Sequence, residues 1–335
     1  MSNLIVLKSP EELTGEFPLA QATASFVEKS RGHVEEILKG ADCRLLAIIG
    51  PCSIHCEEEA LEFAEHVVKW RSLFKDRIEI IMRCYFEKPR TRGGWKGLVY
   101  DPFIDGSNDV QSGLTIARRL MKSITEMGAP VGHELLDPVT PAYFSDLISW
   151  GAIGARTVES QIHRQLASDA AYPIGFKNAT SGDVEAAIDA AVSSSRAHSY
   201  IGISANSQVV LKGSSGNSAP HVILRGGKHK NYKRSDIESA YESLLVNKIP
   251  TGVIVDCSHA NSRKDYRNQS KVIQYLIQEG LSVNSGFRGV MLESNLKEGR
   301  QSARPRGLLK YGVSITDGCI GVEETESLLH EIYKK

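Results

Sequence analysis

Cys52 stands in IIGPCSIH (48–55), where an apolar run stops at Gly50-Pro51 and an oxidisable thiol opens the next loop. A cysteine kept for packing alone belongs inside the run, among Leu45, Leu46, Ile48 and Ile49. Three residues of matching chemistry lie far downstream: His259 in DCSH, Glu293 in LES and Asp317 in SITDGC. A thiolate, an imidazole and two carboxylates suit one borderline divalent ion (Mn, Fe, Co or Zn) better than Mg or an all-sulfur structural zinc. No pair has finger-like spacing, so the fold itself must assemble the set. A rival set, Cys52, His55 and Cys56 on one helical turn, lacks a nearby fourth ligand, and Pro51 argues against a helix beginning there. His33, His66, His163 and His330 fall in helix-like segments, mostly among charges, and read as surface residues.

A second constellation is basic. MRCYFEKPRTRGGWKG (82–97) packs Arg83, Lys88, Arg90, Arg92 and Lys96 into one strand end and loop, with Gly93-Gly94 permitting close approach of a ligand. Arg156, Lys177 and Arg225 follow three further apolar runs. Cations converging on one place repel unless anions fill the space between them, and arginine forks match phosphate and carboxylate bidentately. The number of cations implies more than one anionic group, such as two phosphates and a carboxylate. Nucleic acid would want a continuous basic face with interleaved aromatics. Here Lys+Arg and Asp+Glu are 40 each, and the cations are scattered.

The elements that must position these groups alternate regularly. Apolar runs occur at 45–50, 78–85, 130–137, 151–155, 173–178, 221–227, 252–259 and 289–294, separated by amphipathic stretches such as 57–74, 112–127 and 183–192. Several runs are continuously apolar, as parallel strands covered on both faces should be. Eight strand–helix units in 335 residues favour a closed (β/α)8 barrel over a doubly wound open sheet. Cys52, Arg83, Glu134, Arg156, Lys177, Arg225, His259 and Glu293 stand at or near the ends of the eight runs. In a barrel that end is where active sites assemble.

No apolar segment approaches the ~20 residues that span a bilayer. The six cysteines include no CxxC pair and read as reduced thiols, and the N-terminus lacks a basic region and cleavage site, so the expected setting is cytoplasmic.

Taken together, IIGPCSIH, RCYFEKPRT, GWKG, GAIGART, GFKN, ILRGGK, DCSHAN and ESN followed by SITD closely resemble the type I 3-deoxy-D-arabino-heptulosonate-7-phosphate (DAHP) synthases, from about residue 10 to the C-terminus. The resemblance implies a (β/α)8 TIM barrel over 41–335, an N-terminal extension over 1–40 that makes oligomer or regulatory contacts, and an inserted β-hairpin at about 199–219. It implies that a divalent metal is held by Cys52, His259, Glu293 and Asp317. Phosphoenolpyruvate would be bound by Arg83, Arg156, Lys177 and Arg225, with backbone amides near Glu134 and Ala155. Erythrose 4-phosphate would be bound by Lys88, Arg90 and Thr91. On this reading C3 of phosphoenolpyruvate joins the aldehyde carbon of erythrose 4-phosphate, Lys88 delivers a proton to the developing alkoxide, and Glu134 is the candidate to position the water that attacks C2. Family members are dimers or tetramers inhibited by aromatic amino acids, and SPEELTGEFPLA, DCSHANSRKDYRNQ and KYGVSITD look closest to the tyrosine-inhibited branch. Without metal, Cys52 is expected to pair oxidatively with Cys319 or Cys56. The competing readings are a synthase acting on arabinose 5-phosphate and a non-catalytic barrel that senses aromatic amino acids. The KPRT stretch argues against the first, and retention of every ligand and cation argues against the second.

Overall fold

The computed structural model describes residues 4–280 and 283–334. Two helices come first. α1 (Pro10–Glu16) starts on a capping box, with Ser9 and Glu12 satisfying each other's backbone amides and proline in the first turn. α2 (Gln21–Lys39) stops at Gly40, whose left-handed φ of 78° closes the helix end.

Eight parallel strands then close on themselves. In chain order they are β1 (Leu45–Gly50), β2 (Ile78–Arg83), β3 (Val131–Glu134), β4 (Ile148–Ile153), β5 (Ile174–Lys177), β8 (His221–Leu224), β9 (Val253–Asp256) and β10 (Phe287–Glu293). The barrel runs β1-β10-β9-β8-β5-β4-β3-β2. The interruption is an antiparallel pair, β6 (Ser199–Ile203) and β7 (Val209–Gly213), at the place expected for the inserted hairpin. The closed barrel, rather than an open sheet, is therefore the fold.

The helices packed around it are α3 (Glu57–Phe74), α4 (Val110–Glu126), α5 (Gln161–Asp169), α6 (Glu185–Ser194), α7 (Arg234–Val246), α8 (Gln269–Gln278) and α9 (Val322–Tyr333). α3 occupies the span its amphipathic pattern predicts, with three glutamates against its N-terminal dipole. The fourth strand starts three residues before the expected run at 151, because Ser149 breaks the apolar pattern in sequence yet lies fully buried in the strand.

Side chains alternate between lumen and helix layer along each strand. On β1, Leu46 and Ile48 pack into the lumen with Ile81, Trp150, Ile223, Ile254 and Met291, whereas Ala47 and Ile49 join the larger cluster under the helices. Val34, Ile37 and Leu38 of α2 belong to the lumen cluster, so α2 plugs the base of the barrel. The plug is fastened where the Leu38 carbonyl accepts from Gly252 N at 2.9 Å and Arg288 Nε at 3.1 Å. With the base closed, the mouth is the open end.

Candidate active site

The period-2 alternation that fills the lumen also decides what reaches the mouth. Two residues beyond lumen-facing Ile81, Ile223, Ile254 and Met291 come Arg83, Arg225, Asp256 and Glu293, and Gly132 and Gly175 lead likewise to Glu134 and Lys177. Apolar side chains below and charged ones above are thus one continuous stack.

Cys52, Glu293 and Asp317 offer ligand atoms that all lie within 4.8 Å of one another, the metal-capable group found among the described residues. His259 adjoins them, with Nε2 3.9 Å from Glu293 Oε1. The rival set does not form: Cys56 stands just before α3 with its thiol donating to Glu58 Oε2 at 3.0 Å, and His55 faces Glu59 at 3.5 Å. Cys319 is buried behind Asp317, its Sγ 3.7 Å from the Asp317 carbonyl.

Lys88 Nζ already places one positive charge on the group, donating to Cys52 Sγ at 2.9 Å and Asp317 Oδ2 at 2.8 Å. Burial, then the Glu293 carboxylate, push the Cys52 thiol up to about 11 against the pull of Lys88. Burial alone would raise the Asp317 carboxyl, but the charge and hydrogen bond of Lys88 outweigh it and hold the group well below the usual range. A second positive charge here would favour thiolate and carboxylates together, so the donors fit a soft-to-borderline divalent ion.

The imidazole is prepared for such a role. His259 Nδ1 lies 2.9 Å from Asp256 Oδ2 and 3.1 Å from Ser258 Oγ, a setting that favours a proton on Nδ1 and turns Nε2 towards Glu293. Its backbone is held at φ 52°, costing roughly 1 kcal/mol or more, with the amide donating to Ser258 Oγ at 2.6 Å. Ser258 Oγ in turn donates to Glu293 Oε2 at 2.7 Å.

Above this floor lies a cleft of about 280 Å³, lined by Lys88, Arg90, Arg156, Lys177 and Arg225 against the carboxylates of Glu134 and Asp317. Thr91, Ala155 and His259 complete its wall. Arg156 Nη1 donates to the Pro89 carbonyl at 3.0 Å, and Arg90 Nε to the Trp95 carbonyl at 2.7 Å, so the 88–92 loop is tied to the rim. A Cβ at Gly154 would stand 2.3 Å from Glu134 Oε1, so glycine there leaves the Glu134 carboxylate its place in the cleft.

Arg83 stands apart from Arg156, Lys177 and Arg225. It does not line the cleft but lies beneath it, only 1 % exposed, over the Tyr85 ring and 3.5 Å from Glu293. Its Nη1 has no hydrogen-bond partner, nor has the buried Tyr85 hydroxyl. An unpaired buried guanidinium nitrogen costs energy unless a ligand completes it. His163 is likewise not a surface residue: it is buried, between Ser160 Oγ and the Leu136 carbonyl, because a polar-looking helix face packs on the β3 loop.

Asp256 escaped the reading of the sequence, which took His259 as the end of its run. Counting by twos from Ile254 would have found it. The structure sets Asp256 between His259 and Lys177, whose Nζ is 3.3 Å away, bridging the metal-capable group to the cationic cleft.

The DAHP synthetase I family profile matches residues 18–330. The Tyr-sensitive phospho-2-dehydro-3-deoxyheptonate aldolase of Salmonella typhimurium is 46% identical over 330 residues, covering 98% of this chain and 93% of that one. The Trp-sensitive form of Escherichia coli K12 is 44% identical over 326 residues, covering 97% and 94%. Among solved structures, the phospho-2-dehydro-3-deoxyheptonate aldolase of Francisella tularensis superposes with a TM-score of 0.96 at 41% identity, covering 100% of this chain and 98% of that one. A matching profile across most of the sequence and a common fold at this identity settle kinship: the chain belongs to the DAHP synthetase I family.

Proposed function

We propose that this chain condenses phosphoenolpyruvate with erythrose 4-phosphate to give DAHP and inorganic phosphate, with one divalent metal held by Cys52, His259, Glu293 and Asp317. The observation that carries the reading is the pairing of a metal-capable thiol–carboxylate group with a cleft walled by five lysines and arginines, all at one barrel mouth. When bound, the ion would act as a Lewis acid on the aldehyde.

The chain's own residues bind, orient and move protons. Arg156, Lys177 and Arg225 hold the phosphate and carboxylate of phosphoenolpyruvate from the cleft wall, and Arg83 reaches it from below through its unpaired Nη1. Arg90 and Thr91 take the phosphate of erythrose 4-phosphate, and Lys88 holds its aldehyde end. As the C3–C1 bond forms, Lys88 Nζ gives a proton to the aldehyde oxygen, having Asp317 and Cys52 to steady its charge. Water adds at C2, with Glu134 orienting it and receiving its proton. The C2–O bond of the resulting hemiketal phosphate then breaks as the C2 hydroxyl passes its proton to the leaving phosphate oxygen, giving the ketone, and the cations of the cleft stabilise the departing phosphate.

Membership of this family, with Tyr-sensitive relatives at 46% and Trp- and Phe-sensitive relatives at 44%, supports feedback control by an aromatic amino acid, tyrosine first. Exposed Ile201, Val209 and Leu211 on the hairpin, joined to α1 where Glu11 N donates to the Ala205 carbonyl at 2.8 Å, support that region as the effector and dimer or tetramer surface. No described helix is long and apolar enough to cross a membrane, which accords with a cytoplasmic setting.

The test is consumption of phosphoenolpyruvate with erythrose 4-phosphate or arabinose 5-phosphate, with each aromatic amino acid added in turn. Turnover confined to the four-carbon sugar supports the reading. Turnover of the five-carbon sugar alone, or none with metal present, overturns it.

A further inference from the structure

Glu87 is a buried carboxyl that none of the steps above uses. It is 2 % exposed, immediately before Lys88, at the root of the loop carrying Lys88, Arg90 and Thr91. Its Oε2 accepts from Thr140 Oγ1 at 3.0 Å, and its Oε1 has no hydrogen-bond partner. The groups facing it carry negative charge or none: Asp137 and Glu134 from the β3 side, Tyr100 from the return of its own loop. Tyr100 Oη donates to Asp137 Oδ2 at 2.8 Å. The flanking cations look elsewhere, Lys88 towards Cys52 and Asp317, and Lys96 over the Tyr100 ring at 5.9 Å.

We infer that Glu87 is a positioning residue, a buried carboxyl that clamps the substrate-binding loop to the 137–140 turn and so sets where Lys88 and Arg90 stand; the role in turnover rests on the proposed reaction. The loop leaves little other freedom. Lys88 N donates to the Lys96 carbonyl at 2.8 Å and Val99 N to the Phe86 carbonyl at 3.2 Å, closing it on itself. A Cβ at Gly97 would stand 2.1 Å from the Phe86 carbonyl, so the return strand presses directly on the peptide preceding Glu87. The closed loop can therefore pivot as a unit about its root, and Glu87 holds that root. The same turn continues outward, since Tyr143 Oη donates to the Lys8 carbonyl at 2.7 Å, beside α1.

Burial keeps Glu87 a neutral acid in the clamp, although the Thr140 hydrogen bond by itself favours the carboxylate. Burial first, then the charges of Asp137 and Glu134, push its carboxyl up to about 8 against the Thr140 hydrogen bond. An unfolded glutamate loses its proton near about 4.3. The fold therefore holds a proton the unfolded chain releases, and stability falls as pH rises from that value through about 8. At the top of the window a second carboxylate appears beside Asp137, and repulsion opens the clamp.

The experiment compares Glu87→Gln and Glu87→Ala with the wild type in the metal-supplied full chain, by pH–rate profile and by intrinsic fluorescence. Trp95 lies within the loop, and Trp95→Phe assigns its signal. The wild type should show an alkaline loss of kcat/KM and a fluorescence step, both centred near pH 8. Glu87→Gln, which keeps the neutral donor–acceptor shape, should retain turnover within about threefold at pH 7 and lose both transitions. Glu87→Ala should lower kcat/KM by about 10- to 100-fold, mostly through KM for the aldose phosphate. Wild-type kinetics in Glu87→Ala, or both transitions persisting in Glu87→Gln, would overturn the inference. Should Glu87→Ala not fold, the Glu87→Gln profiles decide alone. Should the wild type show no turnover, the reaction is wrong, while the fluorescence step still tests the clamp.

Discussion

Glu79 and Arg83 occupy the same face of β2, one turned into the barrel base and the other into its mouth, and both are almost fully buried. Their surroundings differ. Glu79 receives Arg44 at 2.7 Å and Arg71 at 2.8 Å, and Arg44 is itself shared with Asp42 at 2.7 Å. Charge at the base is balanced by the chain alone. Arg83 has two long contacts, Nε to the Pro51 carbonyl at 3.4 Å and Nη2 to Glu293 at 3.5 Å, and an unpartnered Nη1, within a mouth where five cations line a cleft holding two carboxylates. Glu79 Oε1 and Arg83 Nη1 both lack an aligned hydrogen bond, but two guanidiniums neutralise Glu79, whereas Arg83 stands beneath a cationic cleft whose charge an anionic ligand would balance.

That contrast is open to attack from both ends. The largest effect should follow from the metal-capable group: Cys52→Ala or Asp317→Ala should reduce kcat by about 10³-fold or more with unfolding temperature little changed, read by steady-state kinetics beside thermal melts. Next come the cleft cations. Lys177→Ala or Arg225→Ala should raise KM for phosphoenolpyruvate by about 10- to 100-fold, the loss of one charge-assisted hydrogen bond of ~1.5–3 kcal/mol. Full activity in either would mean the mouth is as structural as the base. At the base the pattern should invert: Glu79→Ala should cost about 3 kcal/mol of stability, leaving Arg44 and Arg71 without their shared partner, and leave kcat near wild type.

Acid should act on the fold before the site. Burial lowers His55 and His221 to about 4 each, and His221 Nε2 accepts from Trp150 Nε1 at 3.1 Å, as only the neutral ring can. Unfolded histidines take up protons near about 6.5, so stability present above that pH should fall between about 6.5 and 4, measured by melts across that range. The smallest effect concerns control: Val209→Asp on the exposed hairpin should weaken inhibition by tyrosine with little change in uninhibited rate.

The barrel was legible because continuous apolar runs such as LLAIIG and amphipathic spans such as 57–74 carry their periods in plain view. Cys52, His259 and Glu293 were legible as residue types at run ends and Asp317 as a carboxylate in the last loop; their shared chemistry suggested one set, though their mutual spacing said nothing. What escaped was register. Ser149 concealed the start of β4, and Asp256 was passed over for His259 because the run was read to its last polar residue and not by alternation. Glu87 escaped for another reason: its partners, Thr140 and Asp137, come from the following βα unit, and nothing local marks a glutamate as buried.

The most direct test of the mouth as a metal-assisted anion site is phosphoenolpyruvate consumption with erythrose 4-phosphate before chelation, after exhaustive EDTA, and after Mn²⁺ is returned. The account predicts activity lost with the metal and regained with it in the wild type, and no recovery in Cys52→Ala. Turnover that survives complete chelation would contradict it.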